Sequence, residues 1–313
     1  MPIEEGIVFK STGSWYTVKT ASGAMVPCKI KGKLRIEGFK STNPVAVGDR
    51  VLIDNIENAS VITELLDRKN YIIRKSTNLS KQTHILAANI DQAFIMVTLV
   101  LPETAMEFVD RFLAVTEAYN IPAKIILNKY DLYSEEFTEM INFWNSVYDT
   151  THYQIINVSV KSGLNIDYMK ELLTDKVTLI AGNSGVGKSS LIQELIPESQ
   201  VRVGALSDYH LSGKHTTTFA EMFDLPFGGS VIDSPGIKGF GLYNTDKYEI
   251  SHFFPEIFKK SSGCQFDNCL HVNEPKCAII KAVDEGTIHW SRYKSYLSIL
   301  EDSKTDFNPY RSG

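Results

Sequence analysis

The hydrophobic pattern divides the chain into three textures. Over residues 1–70, short alternating or β-branched runs recur: "GIVFKS", "WYTVKT", "AMVPCKI", "KLRIEG" and "DRVLID". Turn formers at Gly13, Ser22-Gly23, Gly32, Asn43-Pro44 and Gly48-Asp49 separate them, so each run reads as a strand between tight turns. About five short strands suit a small β-barrel such as an OB-fold.

From about residue 85 to 240 the pattern changes. "DQAFIMVTL" and "AKIILN" are unbroken apolar runs, as expected of parallel strands covered on both faces. Between them, Phe108, Phe112, Val115 and Tyr119 recur at helical spacing. A helix over 134–146, a strand "QIINVSV", a helix "NIDYMKELL" and a strand "KVTLIAGN" follow. Strands alternating with helices spell an α/β domain with a mostly parallel sheet. Beyond about residue 241 the chain is irregular around a group of cysteines, then offers helices over roughly 276–285 and 290–301. The last dozen residues are polar and expected to be mobile. The expected organisation is a barrel over 1–70, an α/β domain over 71–241 and a helical, cysteine-bearing region over 242–313.

Composition adds limits. With 43% hydrophobic and 22% charged residues among 313, the chain fits a soluble globular protein, and a net charge of -5 argues against wholesale coating of nucleic acid. "MPIEEG" lacks the apolar core of a secretory signal, and "AFIMVTLVL" at 93–101 is too short to span a bilayer. The expectation is a cytosolic protein with no membrane contact, where thiols stay reduced. The close set Cys264, Cys269 and Cys277 then points to a metal, and the isolated Cys28 to a buried small apolar residue.

"GNSGVGKS", residues 182–189, matches the phosphate-binding loop G-x-x-x-x-G-K-[ST] between an apolar strand and a helical run. Gly182, Gly185 and Gly187 let the backbone amides of Asn183, Ser184, Val186 and their neighbours wrap phosphates. The helix opening at Ser190 adds its positive dipole end. Lys188 would reach the β- and γ-phosphates, and the Ser189 hydroxyl would ligate Mg²⁺. Downstream, "VIDSPG" places Asp233 and Gly236 as an Asp-x-x-Gly pair, the carboxylate for Mg²⁺ and the amide for the γ-phosphate. Between them "SGKHTTTF" reads as a switch. Its threonines, Thr216, Thr217 and Thr218, can complete the metal shell, and the pattern does not choose among them.

Upstream lies "NKYD", Asn128, Lys129, Tyr130 and Asp131, at the end of an apolar strand, where ligands gather in open α/β sheets. Asp131 can accept from guanine N1–H and the 2-amino group, neither of which adenine offers. The Lys129 stem can pack along the base, and Asn128 can tie this loop to the phosphate loop. One strand later "SVKSG" supplies Ser159, Val160 and Lys161 as a second base loop, with a backbone amide for the guanine oxygen. The base loops thus precede the phosphate loop, the reverse of the usual order. A circular permutation gives this order without moving any group in space.

"CQFDNCLHVNEPKC" presents Cys264, Cys269, His271 and Cys277. Three thiolates and an imidazole match a closed, structural tetrahedral zinc site. His252 and His289 fall outside the spacing.

With this order of motifs, the chain resembles the small ribosomal subunit-dependent, circularly permuted GTPases (the RsgA/YjeQ family) that act late in bacterial subunit maturation. "GKHTTT", "DSPG" and the zinc spacing carry the resemblance, which covers all three regions. It implies an N-terminal OB-fold, one structural Zn²⁺, Mg²⁺ with GTP, and binding to small-subunit rRNA. It also implies GTP hydrolysis stimulated by the subunit and release afterwards. Lys10, Lys19, Lys29, Lys31, Lys33, Arg35 and Lys40 against the single acid Glu37 support an RNA contact, with Trp15, Tyr16 and Phe39 among them. Lys29, Lys31, Lys33 and Arg35 are the foremost candidates. The basic run "RKNYIIRKSTNLSKQ" lies near the domain joint. Ile237 stands where a Ras-like enzyme places its water-orienting Gln, so His215 of the switch is the candidate for that task. The expected form is a monomer. Two other readings stay open: a GTP-gated RNA-binding switch whose hydrolysis has no role, and a P-loop ATPase or kinase.

Overall fold

The computed structural model describes residues 3–30, 44–56, 59–75, 83–196, 220–234, 242 and 245–306. The N-terminal strands are β1 (Glu4–Ser11), β2 (Tyr16–Thr20), β3 (Met25–Ile30), β4 (Arg50–Ile56) and β5 (Ala59–Leu65). They pair in the order β1-β2-β3-β5-β4, and β4 returns to β1 to close the barrel. All pairs are antiparallel except β3 with β5. Alternate side chains point inward, so Val8, Tyr16, Val18, Cys28, Val51, Ile53 and Ile62 form its core.

Four of the five strands expected from the sequence, "GIVFKS", "WYTVKT", "AMVPCKI" and "DRVLID", coincide with strands among the described residues. "KLRIEG" lies outside the described residues, and the fifth strand is "ASVITEL".

A hairpin of β6 (Tyr71–Lys75) and β7 (Thr83–Ala88) follows the barrel. The hairpin bridges to Val47 through Ala87, and Ala88 N–H donates to the Val47 carbonyl at 2.9 Å; the segment that leads into it is held by a buried ion pair. Arg68 donates from Nε and Nη2 to the two Asp49 oxygens, at 2.6 Å each, and Nη2 also reaches the Pro44 carbonyl at 2.8 Å.

The α/β domain contains β8 (Gln92–Val97), α1 (Met106–Ala118), β9 (Ala123–Leu127), α2 (Thr138–Tyr148), β10 (Ile155–Asn157), α3 (Ile166–Leu173), β11 (Val177–Gly182), α4 (Lys188–Leu195), β12 (Glu221–Asp224) and β13 (Ser230–Asp233). In space the strands run β10-β9-β8-β11-β13-β12, all parallel but β12. Every residue of β8 is buried, as its unbroken apolar run requires. Helices on both faces complete two cores, one around Phe112, Val115 and Trp144 and one around Met169, Leu191 and Ile192. The sheet continues into the barrel where Lys10 of β1 pairs with Glu221 of β12, their side chains 3.1 Å apart.

Helices α5 (Pro255–Ser261), α6 (Ala278–Asp284) and α7 (Trp290–Asp306) form the C-terminal region. Its core of Ile250, Phe254, Ile257, Ile279, Tyr296 and Leu300 reaches Ala114 of α1. A fully buried charge network crosses the same boundary. Arg292 donates to Asp110 of α1 at 2.6 Å and to Glu256 of α5 at 2.7 Å, while Tyr148 and Ser295 donate to Asp110 at 2.9 and 2.6 Å. No helix among the described residues is long and apolar enough to cross a membrane.

Candidate functional site

The motifs meet at one edge of the parallel sheet. The phosphate loop leaves β11 and enters α4, and its three glycines Gly182, Gly185 and Gly187 all adopt positive φ, at 149°, 85° and 102°. Only glycine takes these angles at little cost. At Gly187 space also decides, because a Cβ there would collide with Asn128 Nδ2. Lys188 is buried and folds back along the loop, donating from Nζ to the carbonyls of Gly182 at 2.8 Å and Asn183 at 3.0 Å. Burial lowers its pKa, and the nearby Asp233 opposes that shift. Ser189 and Ser190 are exposed in the first turn of α4. Asp233, fully buried, ends β13 in register with Ile180 of β11.

The base loop leaves β9. Asn128 is 2% exposed, and its Nδ2 donates to the Val186 carbonyl of the phosphate loop at 2.8 Å. This is the tie expected from the sequence. Lys129 adopts a left-handed φ of 60°, and its Nζ donates to the Leu101 carbonyl. Tyr130 N–H donates to the Val158 carbonyl at 3.1 Å, joining the first base loop to the strand that carries the second. In that second loop the buried Ser159 donates its hydroxyl to Asp131 Oδ1 at 2.6 Å, and Lys161 Nζ lies 3.7 Å from Oδ2. The Ser159 hydrogen bond foremost, then the Lys161 charge, hold the Asp131 carboxyl below its ordinary range. Ser159 Oγ also accepts from Ser162 N–H at 3.1 Å, which shapes the turn after Val160. A carboxylate tied through Asn128 to a phosphate cradle can select a base that presents two N–H donors.

The cysteine cluster is equally compact. The ligand atoms of Cys264, Cys269, His271 and Cys277 lie within 4.8 Å of one another. His271 Nδ1 is 3.5 Å from both Cys264 Sγ and Cys277 Sγ, and those sulfurs are 3.9 Å apart. A tetrahedral ion with Zn–S of about 2.3 Å and Zn–N of about 2.0 Å implies S···S edges near ~3.8 Å and S···N edges near ~3.5 Å. The donor set therefore fits.

Burial pushes the Cys269 thiol up to about 12 and raises Cys277 as well. A divalent cation is what would make them thiolates. Hydrogen bonds add to the hold on this turn. Glu274 accepts from the amides of Leu270, Val272 and Asn273 at 2.7, 2.8 and 3.0 Å. Tyr293 and Tyr296 of α7 donate to the carbonyls of His271 and Leu270 at 2.6 and 2.7 Å.

Lys29, on β3, is exposed with its ammonium 4.4 Å from the Trp15 ring centroid. Tyr16 faces the barrel core instead of solvent, so it is not a stacking platform. His215, Thr216, Thr217, Thr218, Gly236, Ile237, Lys31, Lys33, Arg35 and Phe39 lie outside the described residues.

The profile of the RsgA GTPase family matches residues 65–243, and that of the RsgA N-terminal domain matches residues 5–62. The chain belongs to the RsgA GTPase family. A Bacteroides fragilis relative, named small ribosomal subunit biogenesis GTPase RsgA, is 52% identical over 301 residues, 96% of this chain and 97% of its own length. The crystal structure of YjeQ from Thermotoga maritima superposes with a TM-score of 0.73 at 33% identity, covering 96% of this chain and 98% of that one. That of YloQ, described as a circularly permuted GTPase, superposes at 0.70 with 26% identity, covering 99% and 98%.

Like its RsgA relatives, the chain is a GTPase, with Mg²⁺ as the companion of its nucleotide. The permuted order is visible in this fold. The phosphate-loop strand β11 stands between β8 and β13, with Asp233 at the end of β13 on one side and the base-loop strands β9 and β10 beyond β8 on the other.

Proposed function

We propose that the protein binds the small ribosomal subunit and its rRNA, acts late in subunit maturation in the cytoplasm, and leaves when GTP is hydrolysed. The observation that carries this reading is the Asn128–Val186 tie, which joins a guanine-reading loop to a phosphate loop within a family whose named members serve this subunit. Asn128, Lys129, Tyr130 and Asp131, with Ser159, Val160 and Lys161, hold the guanine. Residues Gly182 through Ser190 wrap the phosphates. Ser189, Asp233 and the switch threonines Thr217 and Thr218 hold Mg²⁺, and Gly236 contacts the γ-phosphate. His215 orients the attacking water in place of the absent Gln. Mg²⁺ would neutralise charge on the phosphates when bound.

Cys264, Cys269, His271 and Cys277 hold one structural Zn²⁺. The barrel within residues 1–70 meets rRNA through Lys29, Lys31, Lys33 and Arg35. Residues 71–241 carry the nucleotide and residues 242–313 the metal, in a monomer. Co-sedimentation with purified small subunits tests the reading. Retention with a non-hydrolysable GTP analogue and loss with GDP supports it, and equal sedimentation in both states defeats it. A variant that binds GTP without hydrolysing it separates the switch reading: trapping on the subunit means that turnover drives release.

A further inference from the structure

The loop between β8 and α1, residues 98–104, belongs to none of the nucleotide motifs, yet it touches two of them. Strand β8 lies between β9, which carries the base loop, and β11, which carries the phosphate loop. The loop that leaves β8 is therefore the natural spacer between the two. On one side, β8 pairs with β11 as far as Met96 and Gly182, and Pro102 borders the phosphate loop, its Cδ 3.4 Å from where a Cβ would stand on Gly185. On the other, the Leu101 carbonyl accepts the Lys129 ammonium.

A second link runs through Tyr133. The Leu99 N–H donates to its phenol oxygen at 2.9 Å, and the phenol donates to the Asn128 carbonyl at 2.8 Å. The ring is fixed between Tyr130 and Phe137, with centroids 5.6 and 5.4 Å away.

The loop is stiff on its own account. Thr98 N–H donates to Thr104 Oγ1 at 3.1 Å, Thr104 N–H returns to the Thr98 carbonyl at 3.0 Å, and the Thr98 hydroxyl donates to the Pro102 carbonyl. Both threonines are buried. At its crest Leu101 is 73% exposed and held at a φ of 53°, a left-handed angle that costs a non-glycine residue energy and persists only where the surroundings impose it. Here the imposed geometry aims the Leu101 carbonyl at Lys129.

We propose that residues 98–104 and Tyr133 form a brace that sets the base-reading loop in register with the phosphate loop, so that Tyr133 and Thr104 are positioning residues for guanine selection. The inference rests on the reading of Asp131 as the guanine reader. Its physical ground is that a bound nucleotide spans both loops. The Asp131 carboxylate meets guanine N1–H and the 2-amino group only if the loops stand within a few tenths of an ångström of their working separation, since hydrogen bonds weaken steeply outside ~2.7–3.2 Å. The Asn128–Val186 bond is one tie across that gap, and the brace is a second, independent one. By accepting from the ammonium of Lys129, the loop also anchors that side chain beside Asp131.

The test compares affinities of the full chain for GDP and for inosine diphosphate, which lacks the 2-amino group, in the parent, Tyr133→Phe and Thr104→Val. Each substitution removes one polar atom while keeping the side chain's bulk; Tyr133→Phe strands the Leu99 N–H and the Asn128 carbonyl, and Thr104→Val strands the Thr98 N–H. GDP affinity should fall by about three- to tenfold, the worth of one hydrogen bond. Inosine diphosphate should be affected less, so the preference for GDP narrows in both variants.

A merely structural role would lower the melting temperature without moving that preference. An unchanged GDP-to-inosine-diphosphate ratio in the variants overturns the brace. If the parent itself shows no such preference, the reading of Asp131 fails, and the brace falls with it by a separately visible route. Thr104→Val carries the test should Tyr133→Phe not fold.

Discussion

The Arg292 network makes the joint between the GTPase domain and the cysteine-bearing C-terminal region directly testable. Arg292 is 1% exposed and lies between Asp110 at 0% and Glu256 at 5%. Its guanidinium also sits 4.7 Å from the Phe254 ring centroid. Burial alone would lower its pKa, but the two carboxylates hold it far above the ordinary value, so the charge is permanent.

Arg292→Met keeps most of the volume and leaves two buried carboxylates without a cation. Losing one partner of such a network costs about 3–5 kcal/mol. Asp110 retains hydroxyl donors from Tyr148 and Ser295, which places the expected cost near the lower end, about 3 kcal/mol. At ~2–4 °C per kcal/mol for a unit of this size, the apparent melting temperature should drop by roughly 6–12 °C. Because three regions need not melt together, the comparison is of calorimetric transitions across variants and not of one global free energy.

Adding Asp110→Asn and Glu256→Gln to Arg292→Met removes the stranded charges and should recover more than half of the loss. The reasoning is refuted if Arg292→Met shifts no transition by more than about 2 °C, or if the triple variant is no more stable than the single one.

Other consequences follow from the same geometry. Asp131→Asn replaces an acceptor pair with a donor and an acceptor, so preference should move from GTP to xanthosine triphosphate. The change should be about ten- to a hundredfold, the worth of a charge-assisted pair, read by competition binding. Gly187→Ala forces a Cβ against Asn128 Nδ2 at a φ of 102°, so nucleotide binding by calorimetry should be lost while the fold persists by circular dichroism. Elemental analysis should find one zinc per chain, and Cys269→Ser should lose it together with the melting transition of the C-terminal helices. Full metal retention by that variant would remove Cys269 from the ligand set.

The nucleotide site was legible because each of its parts is a local word. "GNSGVGKS", "NKYD" and "SVKSG" each carry their chemistry within a few residues, and strand–helix alternation puts their ends on one edge of the sheet. The cysteine–histidine cluster was legible for the same reason, with its four members within one short stretch.

What could not be read depends on partners far apart in the chain. Asp110 interrupts an apolar helical face, and only the fold shows that it meets an arginine 182 positions later. Tyr133 follows the base loop closely, but its partner Leu99 is 34 positions upstream. The β6–β7 hairpin was hidden by its basic residues, which drew attention as a charged surface and not as strands. Helix α5 did leave a signal, Pro255 in its first turn, where proline is favoured. Tyr16 shows the converse error: a basic neighbourhood suggested a stacking surface, yet the alternation of β2 turns that ring into the barrel.

The most direct test of the account is GTP turnover by the purified chain with and without purified small ribosomal subunits. Without a Gln after the Asp-x-x-Gly motif, the free protein should turn over slowly, at about 10⁻⁴ to 10⁻³ s⁻¹ as in Ras-like intrinsic hydrolysis. Small subunits should raise that rate by at least about tenfold, as a partner that completes the site does, and large subunits should not. Equal turnover with and without small subunits would contradict the account.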